Sequence, residues 1–213
     1  QGESESRSLI ETWHGKGRNR YVITPRFAIS CSTEQLIAAG RLHEQYPGTY
    51  IQTHLSENKD EINSTLSLYP DCQDYLEVYE RAGLVTDRSV FGHCIHLSDS
   101  ECRRLAEAGS VIAHCPTSNL FLGSGLFDML QANRVGMQTV LATDVGAGTS
   151  FSLLRTMGEA YKVQQLNGYP VSVFESLYKC TLGAAKALHL DDEIGCFGKG
   201  RKADFIVIDY AVT

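Results

Sequence analysis

The sequence repeats one unit five times: a short run of β-branched, aliphatic and aromatic residues, one ionisable side chain, and a helix-forming stretch. The five ionisable residues at the ends of the apolar runs are Arg26, His54, His93, His114 and Asp144. Apolar strands that alternate with helices are typical of a parallel sheet with helices on both faces. Because parallel strands end at the same edge of a sheet, we expect these side chains to converge there, where α/β enzymes build their sites.

The apolar runs and the punctuation between them predict the individual elements. Strands are predicted at residues 20–24, 49–54, 89–93, 110–113 and 138–143. Helices are predicted at residues 7–13, 33–46, 74–82, 99–108, 152–165 and 173–188. Ser32 and Gln35 have the spacing of a capping box, which predicts where the second of these helices begins. A last strand without a following helix is predicted at residues 203–209, and we interpret Asp204 there as a turn or strand-edge residue.

Composition restricts the class of protein. The 213 residues are enough for one sizeable domain, and 43% hydrophobic with 21% charged residues is an ordinary globular composition. A net charge of −6 argues against nucleic acid or an anionic membrane as a partner. No apolar run approaches the roughly 20 residues of a membrane helix, and no signal peptide is visible. The seven cysteines form no Cys-x-x-Cys pair, which favours reduced thiols in a cytoplasmic protein.

The segment from Thr53 to Glu57 combines a histidine at a strand end with a glutamate three residues later. Both side chains can point into one cavity, where His54 would hold a metal ion and Glu57 would move protons. The structural alternative is a histidine that caps a strand beside a solvated glutamate. Repetition of the pattern at the other strand ends favours the metal or catalytic site.

Seven segments together resemble the metal-dependent amidohydrolase superfamily, and more narrowly its guanine deaminase branch. They are residues 24–31 (TPRFAISC), 53–57 (THLSE), 92–93 (GH), 113–119 (AHCPTSN), 142–148 (ATDVGAG), 193–197 (EIGCF) and 203–207 (ADFIV). The resemblance covers nearly the whole chain. The strand-end His, Gly-His and Thr-Asp mark the superfamily in general, whereas Thr-Pro-Arg-Phe and His-Leu-Ser-Glu are similar to the guanine branch.

This resemblance implies a fold and a domain division. Residues 1–190 would be the C-terminal portion, about five βα units, of a (β/α)8 TIM-like barrel. Residues 191–213 would be a segment of a small β domain. The expected activity is the hydrolytic deamination of guanine to xanthine and ammonia, which is a hydrolase reaction on a C–N bond of a cyclic amidine. The resemblance also implies a homodimer for the full-length enzyme.

The resemblance further implies roles for individual residues. His54 and Asp144 would bind one zinc ion, and His93 would hydrogen-bond the attacking water. Glu57 would carry a proton from that water towards the purine ring, so that Glu57, His93 and Asp144 form the catalytic group.

The implied substrate contacts come from the end of the first strand. Arg26 would hydrogen-bond the guanine carbonyl, and Phe27 would line the pocket of the ring. His114 and Asn119 either line the pocket or have a structural role, and the sequence leaves both open.

One feature departs from the superfamily pattern. Its first strand carries a His-x-His that supplies two further zinc ligands, and this sequence contains no His-x-His. Two protein ligands are fewer than catalytic zinc usually has, and five βα units cannot close an eight-stranded barrel. With Gln1 in place of an initiator methionine, we therefore expect the C-terminal part of a longer enzyme, inactive alone and a poor zinc binder.

Two alternatives stay open at this point. The chain could belong to a deaminase or hydrolase of another purine, a pterin or a triazine within the same superfamily. It could also be an open α/β module that binds a ligand at its strand ends without chemistry. A His-x-His upstream of His54 would favour the enzyme.

Overall fold

Five strands form one sheet within residues 2–209, the part of the chain that the computed structural model describes. The strands are β1 (Val22–Ile23), β2 (Tyr50–Leu55), β3 (Ser89–His93), β4 (Val111–His114) and β5 (Gln138–Leu141). Every neighbouring pair is parallel, and the order in space is the order in the chain. The parallel α/β sheet predicted from the sequence is therefore confirmed.

Helices connect the strands, as parallel pairing requires. They are α1 (Gly2–Trp13), α2 (Thr33–Gln45), α3 (Lys59–Leu68), α4 (Tyr75–Arg81), α5 (Asp99–Glu107), α6 (Pro116–Leu122), α7 (Met129–Arg134), α8 (Leu153–Leu166), α9 (Val173–Cys180) and α10 (Leu182–Ala187), with a short 3-10 helix at Ala28–Ser30. The predicted capping box at Ser32 is present, and Asn58 and Ser98 form two more. Among the described helices, none has both the length and the apolar character needed to cross a bilayer.

The two faces of the sheet differ in burial. Ile51 and Leu55 of β2 and Phe91 of β3 are completely buried in the main core, together with side chains of the surrounding helices. His54 alternates to the opposite, less buried face, where it is aligned with Gly92 of β3. The strand alternation thus separates a packed face from a face that is available for chemistry.

The prediction of a single helix at residues 173–188 is wrong, because the structure has two helices there, α9 and α10. Thr181 lies between them with φ −126° and ψ −105°, outside the helical region. The chain then turns back so closely that a Cβ on Gly183 would lie 2.7 Å from the carbonyl oxygen of Tyr178. Periodicity alone did not show this break, because apolar residues continue through it.

The strand predicted at residues 203–209 is also wrong. These residues have no regular secondary structure, and none of the five described strands pairs with them. Their apolar side chains are exposed, with Val207 at 85%. Asp204 forms an exposed ion pair with Arg18, which agrees with its not being a metal ligand. The assignment of 191–213 to a small β domain stays a prediction, and its last four residues lie outside the described part.

A close contact at a glycine positions α2 against the end of α4. Gly40, in the middle of α2, packs against the end of α4, and a Cβ there would lie 1.9 Å from the carbonyl oxygen of Ala82. Gly158, in the middle of α8, is exposed and has no heavy atom within 4 Å of a built Cβ. The two glycines therefore make a matched pair for testing the packing.

We expect Gly40→Ala to lower the free energy of unfolding by about 2 kcal/mol or more, because the added methyl group forces α2 away from Ala82. Gly158→Ala should raise it by roughly 0.5–1 kcal/mol through helix propensity. Urea unfolding followed by circular dichroism measures both. Equal effects of the two substitutions would contradict the packing that the structure shows.

Candidate active site

Four of the predicted site residues lie close together at the carboxyl ends of the strands. The rings of His54 and His93 have centroids 5.1 Å apart. The Nε2 atom of His93 lies 3.7 Å from Oε2 of Glu57. Ligand atoms of His93 and Asp144 lie within 4.8 Å of each other. The convergence expected from parallel strands is therefore present for residues that lie up to 90 positions apart in the sequence.

His54 is held in one orientation by the main chain of Arg26. Its Nδ1 atom is 2.7 Å from the carbonyl oxygen of Arg26, and its backbone N–H donates to the same oxygen at 3.1 Å. Because a carbonyl oxygen only accepts, Nδ1 carries the proton, and the neutral ring has its lone pair on Nε2. This arrangement, with one nitrogen bonded to a carbonyl and the other available, is typical of metal-binding histidines.

A buried tyrosine fixes the backbone beneath His54. The hydroxyl of Tyr79 donates to the carbonyl oxygen of His54 at 2.8 Å, and it accepts from the Ala28 N–H at 3.0 Å and from Thr53 Oγ1 at 3.1 Å. Burial raises the pKa of Tyr79, so the hydroxyl keeps its proton and remains a donor. Helix α4 thereby connects the end of β2 to the segment that follows β1.

His93 reaches the site through an unusual backbone conformation. In the register it is aligned with Leu55, which faces the packed core, yet its ring lies beside that of His54. A φ of +71° at His93 accounts for the change of direction. Left-handed backbone is uncommon for residues other than glycine, and Ser56, Cys94 and Asp144 near the same strand ends also adopt it.

The surroundings of His93 define its hydrogen bonding. The Nδ2 atom of Asn119 lies 3.0 Å from Nδ1 of His93, so the amide donates and the Nε2 atom carries the proton of the neutral ring. Burial lowers the pKa of His93, although the nearby carboxylates of Glu57 and Asp144 act in the opposite direction. A neutral His93 with an Nε2–H directed towards Glu57 can donate to a water molecule between them.

Three residues at the site carry side-chain atoms of the kind that bind metal ions. His93, Cys115 and Asp144 form a group in which the potential ligand atoms lie within 4.8 Å of one another. Burial raises the pKa of Cys115 to about 12, and its thiol donates to the carbonyl oxygen of Ala113 at 3.3 Å. A protonated thiol is a poor ligand. His54 lies outside this group, and the assignment of His54 and Asp144 to one shared ion stays a prediction.

Phe27 lies beside His54, and the Arg26 side chain lies over Phe27. The Phe27 ring centroid lies 5.6 Å from that of His54, and the Arg26 guanidinium lies over the Phe27 ring at 5.2 Å. The Arg26 side chain is exposed and Phe27 is half-buried. Their assignment to a substrate pocket stays a prediction.

His114 lies in the core, in contrast to the partly exposed His54. It is completely buried, and its ring stacks on Phe127 with centroids 4.8 Å apart. Neither ring nitrogen has a hydrogen-bond partner among the described residues. Burial lowers the pKa of His114 to about 3, with Lys179 and His93 adding to the effect. The geometry therefore favours the structural role that the sequence left open.

Sequence reasoning missed three residues around the site. Ser124 donates from Oγ to Oε1 of Glu57 at 3.1 Å, and its carbonyl oxygen lies 2.9 Å from Nε2 of His96. Cys115 belongs to the group of potential ligands. The flanking glycines of Gly123-Ser124-Gly125 indicate a tight turn, but no local pattern connects Ser124 to a glutamate 67 positions away.

Comparison with known proteins adds the family. The profile of the Amidohydrolase family matches residues 3–213, nearly the whole chain. The chain belongs to the amidohydrolase family. Within it, the chain is 53% identical over 98% of its length to guanine deaminase of Escherichia coli strain K12, of which it covers 48%.

Solved structures of amidohydrolases show the same fold. The chain is similar to that of E. coli guanine deaminase with a TM-score of 0.92 and 52% identity, over 95% of this chain and 48% of that one. It is also similar to guanine deaminase from C. acetobutylicum, described with bound guanine in the active site, with a TM-score of 0.87 and 31% identity, over 93% of this chain and 48% of that one. This amidohydrolase chain thus spans about half the length of the relatives that it matches.

The buried His114 predicts a pH dependence of stability. Its pKa is about 6.5 in an unfolded chain and about 3 in the fold, so between these values only the unfolded chain binds the proton. Its contribution to stability is therefore complete above pH 6.5 and decreases as the pH falls towards 3. His114→Phe keeps the ring contact with Phe127 and removes the titration. Relative to the native protein, the variant should gain on the order of 1–2 kcal/mol in unfolding free energy between pH 7 and pH 5.

Urea unfolding of both proteins at several pH values measures this difference. Altered packing in the variant shifts its unfolding free energy by the same amount at every pH. This shift cancels, because only the change of the unfolding free energy with pH is compared. Parallel pH profiles for the native protein and His114→Phe would contradict a buried, neutral histidine.

Proposed function

We propose that the protein catalyses the zinc-dependent hydrolytic deamination of guanine to xanthine and ammonia, and that this chain forms the C-terminal portion of a (β/α)8 barrel. The observation that carries the proposal is the meeting of His54, His93, Glu57 and Asp144 at one edge of the sheet. Its specificity for guanine is supported by the 53% identical deaminase of E. coli and the guanine-bound relative from C. acetobutylicum.

In this proposal His54 and Asp144 hold the metal. The Nε2 lone pair of His54 is free because Nδ1 is bonded to the Arg26 carbonyl. A bound zinc ion supplies a Lewis acid and lowers the pKa of a water ligand to about 7. Further ligands come from outside this chain, since zinc sites in enzymes commonly use three protein ligands.

Glu57 and His93 handle the proton and the attacking water. Glu57 accepts a proton from water at Oε2, the oxygen nearer to His93, while the Nε2–H of His93 donates to the attacking oxygen. The oxygen bonds to the amino-bearing carbon of the purine. Glu57 returns the proton to the purine ring, the proton that remains on the attacking oxygen passes to the amino group, the C–N bond breaks, and ammonia leaves with xanthine as the other product.

Arg26 and Phe27 recognise the heterocycle. A guanidinium group has only hydrogen-bond donors, so Arg26 suits the carbonyl of guanine and not the amino group that adenine carries in its place. The Phe27 ring lies close to both the guanidinium of Arg26 and the ring of His54, and in this proposal it offers an apolar surface to the purine. A cytoplasmic location and a homodimeric state stay predictions.

The direct test combines metal analysis with an activity assay on the full-length protein. We expect about one zinc per subunit and conversion of guanine to equal amounts of xanthine and ammonia. Removal of the metal by a chelator should abolish turnover, and added zinc should restore it. Turnover of another purine, a pterin or a triazine, but not of guanine, would support the proposed hydrolytic reaction and contradict the assignment of guanine as the substrate. Ligand binding without turnover of any of these would favour a non-catalytic module.

Glu57→Gln should lower kcat by roughly 10²- to 10⁴-fold, because glutamine keeps the size of the side chain but cannot accept a proton. Zinc content and guanine affinity should remain near their native values. Glu44→Gln makes the same chemical change at an exposed position on α2 and should leave kcat unchanged. A Glu57→Gln variant with near-native kcat would show that this glutamate does not carry the proton.

Arg26→Met should lower kcat/KM for guanine by about 30-fold or more, equivalent to about 2 kcal/mol, because the carbonyl loses its donor. Metal content should not change, since His54 is supported by the main chain of residue 26 and not by its side chain. Arg41→Met, at an exposed position on α2, is the control. If guanine kinetics are the same in both variants, Arg26 does not read the carbonyl.

A further inference from the structure

We propose that Ser124 is a positioning residue that holds Glu57 for proton transfer, an inference that rests on the proposed deamination. The relevant contact is the hydrogen bond from Ser124 Oγ to Oε1 of Glu57, 3.1 Å long. Among the described residues, no other side chain or backbone N–H donates a hydrogen bond to this carboxylate. The remaining oxygen, Oε2, faces Nε2 of His93 at 3.7 Å.

The hydroxyl of Ser124 is presented by a fixed turn after α6. The Ser124 N–H donates to the carbonyl oxygen of Asn119 at 2.9 Å, and Nε2 of His96 bonds to the Ser124 carbonyl oxygen at 2.9 Å. At Gly125 the chain passes so close to the end of β3 that a Cβ would lie 2.8 Å from Cγ2 of Ile95. The main chain of Ser124 is thus held on two sides before its side chain reaches Glu57.

The same helix end supports both partners in the proton transfer. The Asn119 side chain donates a hydrogen bond to His93, and the main-chain carbonyl oxygen of Asn119 accepts one from the N–H of Ser124. Asn119 and Ser124 therefore place His93 and Glu57 relative to each other, although the two groups come from different strands. Shared support from one helix end suits His93 and Glu57, because proton transfer depends on the distance and orientation between them.

The bond also distinguishes the two carboxylate oxygens. A serine hydroxyl that donates to Oε1 restrains the terminal torsion of glutamate, which otherwise has a broad distribution. Oε2 then stays directed towards His93, where it can accept and return the proton. Loss of the hydroxyl should leave the Glu57 backbone in place but release its carboxylate from a single position, so turnover should fall more than substrate binding.

The test uses the full-length enzyme with Ser124→Ala, Ser124→Thr and a control. We expect Ser124→Ala to lower kcat about 10-fold, the loss of one hydrogen bond to a charged group, with KM within about twofold and metal content and Tm unchanged. Ser124→Thr keeps a hydroxyl and should retain most of kcat. Ser110→Ala removes a buried hydroxyl that bonds to the Thr86 carbonyl near the start of β4; it should lower Tm and leave kcat unchanged.

A double variant separates positioning of Glu57 from a general structural effect. In single-turnover measurements, Ser124→Ala should cause no further loss of rate when combined with Glu57→Gln, because the proton carrier is already absent. The proposal is overturned if Ser124→Ala has native kcat, if Ser124→Thr is no better than Ser124→Ala, or if the loss is equally large in the Glu57→Gln background.

A structure of Ser124→Ala gives a readout that does not depend on activity. We expect the Glu57 carboxylate to leave its single position while the turn at residues 123–125 is unchanged. A carboxylate that remains in place overturns the positioning role. If the native enzyme does not turn over guanine, the proposed function fails, and the positions of Glu57 in the two structures still decide the role of Ser124.

Discussion

Parallel pairing in chain order places the carboxyl ends of all five strands along one edge of the sheet. This constraint brings His54, His93 and Asp144 together from distant parts of the sequence. His54 and His93 lie in β2 and β3, and Asp144 follows the end of β5. Because the other face of the sheet is buried under helices, the apolar core and the reactive edge are set by the same backbone. The alternation of side chains places His54 on the face opposite the main core. His93 is aligned with the core-facing Leu55, and its left-handed backbone turns its ring towards His54.

The site depends on main-chain groups as much as on side chains. The Arg26 carbonyl orients the His54 ring, and the Tyr79 hydroxyl binds the His54 carbonyl and the N–H that follows Phe27. Left-handed backbone at His93 and Asp144 adds conformations that most residues avoid. Such strain persists where the surrounding packing determines the conformation, and it is common at functional sites.

The sequence predicts what is local or periodic. The capping box at Ser32 and the strand ending on His93 appear in the structure as expected, because each depends on neighbours within a few residues. The bond between Ser124 and Glu57 and the break at Thr181 were not predictable in this way. The first joins residues far apart in the chain, and the second follows from packing that periodicity does not record. The prediction of a strand at residues 203–209 was wrong, because a segment with strand propensity forms a strand only where another strand pairs with it, and none of the five described strands does.

Residue 26 has two chemically separate parts. Its carbonyl supports His54, and every amino acid has that carbonyl, whereas its side chain is exposed. A substitution at position 26 changes the exposed side chain and keeps the main-chain carbonyl that accepts the hydrogen bond of His54. Within a lineage, the side chain at this position can therefore diverge by single substitutions, without an intermediate that has lost the orientation of His54.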